Sequence, residues 1–176
     1  MNHDSYSDTY IKSILDEVRT IAMVGASANN VRPSYFVLKY LLSKGYEVWP
    51  VNPGQAGKEI LGQKVYASLD DLPGTADMID IFRNSDAAGQ IVDQVLAGDR
   101  LPKVIWMQLT VRHEDAARQA EDAGIKVVMD RCPKIEYGRL SGEIGWAGVN
   151  SRTLSSKRPS LKSGFQHRGL SGNKAD

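Results

Sequence analysis

Gly25, Ala26 and Ser27 close a short apolar run, and Arg32, Pro33 and Ser34 follow a few residues later. Small residues let a backbone come close to a bound group, and a proline at the first position of a helix leaves the next amides open. Those amides carry partial positive charge, and serine and arginine side chains add hydroxyl and guanidinium donors. The combination suits an oxyanion, most simply a phosphate. The same residue types also build βα turns that hold nothing, and both readings stand at this point.

A second cluster, Val51, Asn52 and Pro53 with Gly54, Gly57 and Lys58 beyond, narrows the ligand. A nicotinamide dinucleotide site ordinarily has spaced glycines in the first turn and an acidic residue ending the second strand, where it takes the ribose hydroxyls. Here the turn holds Gly25 alone, and Asn52 and Pro53 stand where the acid would be. An NAD(P)-dependent oxidoreductase is therefore the weaker alternative. A nucleotide with a phosphate near its ribose fits better, with Lys58 as partner, unless "NPGQAGK" is a plain surface turn.

Catalytic groups are sparse. The histidines are His3, His113 and His167; two lie near the ends, and His113 reads as a solvated residue opening a helix. No Ser-His-Asp ordering, metal-ligand cluster or pair of isolated carboxylates stands out, so the expectation is a binding protein with no catalytic residue and no metal. The single cysteine, Cys132, cannot form an internal disulfide, which points to a reducing cytoplasm. Beside Arg131 it reads either as an activated thiol or as a small buried residue closing a strand.

The elements that must hold these residues are legible as strand-length apolar runs alternating with helical patterns. "TIAMVG", "YEVWPV", "DMIDIF", "KVIWMQL" and "IKVVMD" are the runs. Val37, Leu38, Leu41 and Leu42 recur at helical spacing after the first, Ala88, Ile91, Val92, Val95 and Leu96 after the third, and Ala116, Ala117, Ala120 and Ala123 after the fourth. Such alternation predicts right-handed crossovers and a doubly wound, Rossmann-like α/β fold, a mostly parallel sheet with helices on both faces. An extra helix is expected on the outside from Asp8 to Val18. The single domain is expected over 8–137, followed by a Gly/Ser-rich basic tail over 138–176 with Trp146 and Phe165 as candidate anchors. In such sheets ligands sit outside the carboxyl ends of the strands, and every residue singled out above falls at or just beyond such an end.

Composition agrees with an ordinary globular chain: 176 residues, 41% hydrophobic and 24% charged. The net charge of +1 is unevenly placed, since beyond residue 137 only Glu143 and Asp176 oppose Arg139, Arg152, Lys157, Arg158, Lys162, Arg168 and Lys174. The acidic body left by that subtraction is a poor grip for nucleic acid. The polar, acidic start and the lack of a long apolar run predict neither export nor a membrane span. An interaction protein using the basic segment Ser155 to Arg168 is a further alternative.

Taken together and in order, "IAMVGAS", "RPSY", "GYEVWPVNP", "GKEILGQKVYASLDDLP", "DIFRNS", "WMQL" and "VMDRCP" resemble the small stand-alone CoA-binding proteins. These are similar to the CoA-binding domain of the succinyl-CoA synthetase α subunit. The resemblance runs from about Thr20 to Glu136. It implies coenzyme A, or an acyl-CoA, as the small-molecule ligand. Gly25, Ala26, Ser27, Arg32, Pro33 and Ser34 would cradle its pyrophosphate. Val51, Asn52, Pro53 and Lys58 would flank the adenine and the phosphorylated ribose. Phe82, Arg83, Asn84 and Ser85 would lie beside the nucleotide, Met107 and Gln108 along the pantetheine path, and Arg131, Cys132 and Pro133 at its far end. Core packing is the competing reading for Phe82 and Met107, and a surface ion pair for Arg83. The resemblance implies a carrier, sensor or accessory module, with a subunit of a nucleotide-dependent acyl-CoA ligase or transferase as the alternative. A protein partner is compatible with either.

Overall fold

The computed structural model describes residues 1–143. Trp146, Phe165 and the rest of the basic segment lie outside the described residues.

The chain opens with α1 (Asp8–Glu17), whose first turn is capped by the Ser7 hydroxyl accepting from Tyr10 N at 3.2 Å. There follow β1 (Thr20–Val24), α2 (Pro33–Ser43) and β2 (Glu47–Val51). A 3-10 turn (Pro53–Gln55) leads into the short strands β3 (Glu59–Ile60) and β4 (Gln63–Lys64). Then come β5 (Met78–Ile81), α3 (Ser85–Ala97), β6 (Val104–Met107), α4 (Glu114–Asp122), β7 (Lys126–Val128) and α5 (Pro133–Leu140).

Five strands form one sheet in the order β2-β1-β5-β6-β7, all neighbours parallel. The chain leaves β1 toward β2 and returns to the other side of β1 at β5, so the order reverses between β1 and β5. The connections from these two strands depart to opposite faces and leave a crevice above their carboxyl ends.

Both faces are covered, and β5 and β6 are buried at every position, as the continuous apolar runs predict. On one face α1, α2 and α5 pack Ile11, Ile14, Val37, Leu38 and Leu41 onto Ile21, Met23, Met78 and Trp106. On the other, α3 and α4 pack Val92, Val95, Ala117 and Ala120 onto Ile79, Ile81, Ile105 and Met107. The fold is the doubly wound one expected. α1 is more than an outer appendage, since Ile11, Ile14 and Leu15 sit in the core.

The C-terminal boundary needs revision. α5 runs across residues 137 and 138 to Leu140, and Glu143 beyond it accepts from Tyr40 Oη at 2.8 Å and pairs with Lys44. The packed body therefore includes residues that the sequence reading assigned to the tail.

His113 also differs from expectation. It is half-buried, its Nδ1 accepts from Ala116 N at 3.2 Å as the N-cap of α4, and its ring lies against Gly89 of α3. A Cβ on Gly89 would stand 2.6 Å from His113 Nε2, so the α3–α4 seam needs glycine there.

Candidate functional site

The crevice is built on Gly25. Its φ of +89° is one that side chains disfavour, and a Cβ there would lie 2.6 Å from the Phe82 carbonyl oxygen. Gly25 N donates to Val51 O at 2.9 Å and Phe82 N to Val24 O at 2.8 Å, which stitches the ends of β1, β2 and β5 together. The close approach that glycine permits here is strand end against strand end, and it sets the floor of the crevice.

Beyond Gly25 the loop holds its own shape. Asn29 N donates to Ser27 Oγ, Val31 N to Asn29 Oδ1, and Ala28 N to Gln55 Oε1, all within 3.1–3.2 Å. The amides of Ala26, Ser27 and Ser34 have no acceptor among the described residues; Ala26 has no exposed surface and Ser34 is buried, so of the three only Ser27 reaches the surface. Arg32, the N-cap of α2, supplies no capping side-chain bond, and Pro33 occupies the first turn without a donor. The start of an eleven-residue helix thus faces the crevice with open N–H groups and the positive end of its dipole.

At the end of β2, Asn52 is structural in detail. Its Nδ2 donates to Ala26 O at 2.7 Å and its Oδ1 accepts from Gly54 N at 2.9 Å, joining the two turns. Val51 is buried, while Pro53 and Lys58 are exposed.

After β5, Phe82 is half-buried against the α1/α2/α5 core and Arg83 is exposed, its stem beside Gly25. Asn84 Oδ1 caps α3 by accepting from Ala87 N at 3.0 Å, and Ser85 Oγ accepts from Arg112 N at 3.1 Å. These two side chains are engaged within the fold.

Met107 and Gln108 part company. Met107 has no exposed surface and packs beneath α3 and α4, so its side chain lines no path at the edge; the core reading holds for it. Gln108 turns to the other face and donates from Nε2 to Asp80 Oδ1 at 2.8 Å. Asp80 is absent from the sequence-based candidates, although an acid inside "DMIDIF" was a signal that something must satisfy it. Burial pushes its carboxyl up to about 7, against a smaller downward pull from the Gln108 bond.

At the far end, Arg131 is half-buried. It donates to Asp130 O and Asp4 O and lies over the Tyr6 ring. Cys132 and Pro133 are buried. Burial pushes the thiol up to about 11, with the amides of Ile135 and Lys134 pulling against it and Asp80 adding to it. Burial thus favours the reading of this cysteine as a small buried residue over that of an activated thiol.

Arg32, Lys58 and Arg83 face no carboxylate among the described residues, whereas Lys44, Lys103, Lys126 and Arg139 each do. A separate cleft of about 310 Å³ opens at the amino-terminal edge, lined by Leu72, Ile79, Val95, Asp70, Asp99 and others. Its lining mixes Asp70 and Asp99 with Arg100, and the carbonyl end of α3 borders it.

A parallel sheet whose order reverses under an uncapped helix start places the chain in the class of Rossmann-like α/β proteins. The particular family follows from comparison: the chain belongs to the CoA binding domain family, whose profile matches residues 19–138. The uncharacterized protein YneT of Bacillus subtilis is 34% identical over 131 residues, covering 74% of this chain and 94% of that protein. A solved structure from Thermus thermophilus, titled only as cell-free ID.343, has 38% identity and a TM-score of 0.72, covering 77% of this chain and 99% of its own. The α subunit of an ADP-forming acetate–CoA ligase from Pyrococcus furiosus is 32% identical over 91 residues, which span 49% of this chain and 19% of the subunit. Among the described residues, no helix is long and apolar enough to cross a membrane.

Proposed function

We propose that the crevice binds coenzyme A or an acyl-CoA, and that the chain works in the cytoplasm as a carrier, sensor or accessory module rather than as an enzyme. The observation that carries this reading is the uncapped start of α2 beside the loop after β1, where, among the described residues, the half-buried Ser27 has an amide without an acceptor and the exposed Arg32 has no ion pair. A diphosphate supplies the acceptors and charge that such a junction lacks. Lys58 and Arg83 stand ready for the ribose phosphate and the nucleotide, and Pro53 offers an apolar surface to the adenine. The arm then runs toward Gln108 and the start of α5. Bound there, CoA would supply a thiol that carries acyl groups; the chain's own residues hold and orient it.

A thermal-shift and calorimetric panel of CoA, acetyl-CoA, dephospho-CoA, NAD, NADP and ATP tests the reading. A ligand specific for the folded state at 100 times its Kd adds roughly 2.7 kcal/mol, so CoA is expected to raise the melting temperature well beyond NAD or ATP. Dephospho-CoA is expected to bind about tenfold more weakly, and Lys58→Ala to remove that difference, since a charge-assisted contact is worth roughly 1.5 kcal/mol. No shift with CoA, or an equal shift with NAD, sinks the proposal.

The likeness to a ligase α subunit favours a second reading, in which this chain serves a catalytic partner that it does not itself contain. Co-purification of a stable partner with nucleotide-dependent acyl-CoA formation would establish it.

A further inference from the structure

Asp80 sits in the middle of β5 with no exposed surface, in register with Met23 of β1 and Trp106 of β6. A buried carboxyl group needs partners for both oxygens. Gln108 Nε2 serves Oδ1, but Oδ2 is the one buried side-chain nitrogen or oxygen without a partner among the described residues. Strand alternation puts Asp80 on the face of Met78, under α2 and α5, and not on that of Ile79 and Ile81. Gln108, directly after β6, stands between Asp80 and the carboxyl edge. Its carbonyl oxygen has no donor among the described residues and, unlike Asp80 Oδ2, is not sealed from solvent.

Resting on the ligand reading above, we propose that Asp80 is a positioning residue: by holding the Gln108 amino group it turns the Gln108 carbonyl oxygen to the crevice, as acceptor for a secondary-amide N–H of the pantetheine arm. Neither residue need touch the phosphates. The pair selects a ligand with an amide-bearing arm over a bare nucleotide.

The carboxyl group makes this orientation depend on its proton. Ionised, Asp80 only accepts, and the Gln108 carboxamide is held with its carbonyl outward. Protonated, it gains an O–H whose available acceptor is the Gln108 carbonyl, so the carboxamide turns over and offers the arm an amino group instead. Burial, which pushes Asp80 up to about 7, brings that exchange into an accessible range. Around it, β1 and β6 contribute Met23 and Trp106, and α2 begins with the buried Ser34; none of these titrates there. From α5 come Cys132, pushed up to about 11, and Lys134, pushed down by burial.

Calorimetry tests the pair on wild type, Gln108→Met and Asp80→Asn, each titrated with CoA and with adenosine 3′,5′-bisphosphate, which lacks the arm. The quantity read is the ratio of the two affinities, in which any repulsion between Asp80 and phosphate common to both ligands cancels. Gln108→Met is expected to lower the ratio roughly fivefold to tenfold, the worth of one neutral hydrogen bond. Because the 5′-phosphate of the bisphosphate is a monoester that itself ionises between about pH 5.5 and about 8.5, and the diphosphate of CoA is not, the ratio is read against Asp80→Asn at each pH; wild type rises above the variant by a similar factor as Asp80 ionises. Asp80→Asn, which keeps a buried donor in place of Oδ2 as the protonated acid does, turns the Gln108 carboxamide over at every pH and holds the ratio at its low, acidic level. An unchanged ratio in Gln108→Met overturns the proposal, and so does a wild-type pH profile that Asp80→Asn reproduces in full, which would assign the slope to Lys134 or to the phosphate of the probe. Should Gln108→Met not fold, the Asp80→Asn profile alone decides. If wild type binds the bisphosphate but gains nothing from the arm, only this inference falls; if it binds neither ligand, the CoA reading falls with it.

Discussion

Gly25 is the residue on which the crevice depends, because two independent constraints meet at it. Positive φ alone strains any other residue, and the Phe82 carbonyl leaves no room for a Cβ. Gly25→Ala is therefore expected to cost roughly 1–3 kcal/mol in denaturant unfolding and to weaken CoA binding by splaying β1 from β5. A variant with wild-type stability and CoA affinity would show that the junction tolerates a side chain and is not what shapes the site. The sequence made Gly25 legible, since a small residue after an apolar run must be a turn. It could not separate Met107 from Gln108. Neighbours in a strand face opposite sides, so a single step in register decides which is core and which meets the crevice. Asp80 was hidden for the same reason: only the observed register turns it beneath α2 and α5 and brings Gln108 to it.

At the scale of elements, the strand β7 ends the sheet on one side, and an open edge invites association. Among the described residues no sixth strand covers it. Instead Tyr6 Oη accepts from Met129 N at 2.7 Å and Tyr10 Oη donates to Val127 O at 3.2 Å, so two hydroxyls serve the strand's outward backbone groups. Burial pushes the Tyr10 hydroxyl up to about 12, which keeps it a donor across the working range. Tyr6→Phe and Tyr10→Phe are each expected to cost about 1 kcal/mol in urea unfolding and, combined, to promote concentration-dependent association visible by light scattering. A double variant as stable and monodisperse as wild type would rule out edge protection. The long elements were readable from period alone, but α5 was not. It is eight residues long with Gly138 inside it, too short for a repeat to emerge, and it is held by packing against α1 and α2. The strands β3 and β4, two residues each, left no periodic trace either.

Across the whole molecule, opposing carboxyl groups set where the fold is most stable. Asp77 ties the start of β1 to β5, accepting from the amides of Arg19 and Thr20 and pairing with Lys103. Burial alone would raise it, yet the Lys103 ammonium and those amides bring it down to about 2. Its contribution is present above the ordinary carboxylate range and is lost as pH falls toward that value. Asp80 works in the other direction. Its folded value of about 7 lies above the unfolded one, so its contribution is complete below about pH 4 and is lost as pH rises through 7. Wild type is accordingly expected to be most stable in mildly acidic solution and to lose melting temperature from about pH 5 to about pH 8. Asp80→Asn, with nothing to ionise, is expected to lose much less over that range, so the two melting curves converge or cross as the solution becomes alkaline. Parallel curves would mean that Asp80 is already charged at acidic pH in the fold, which would require a partner for Oδ2 that its buried position does not provide.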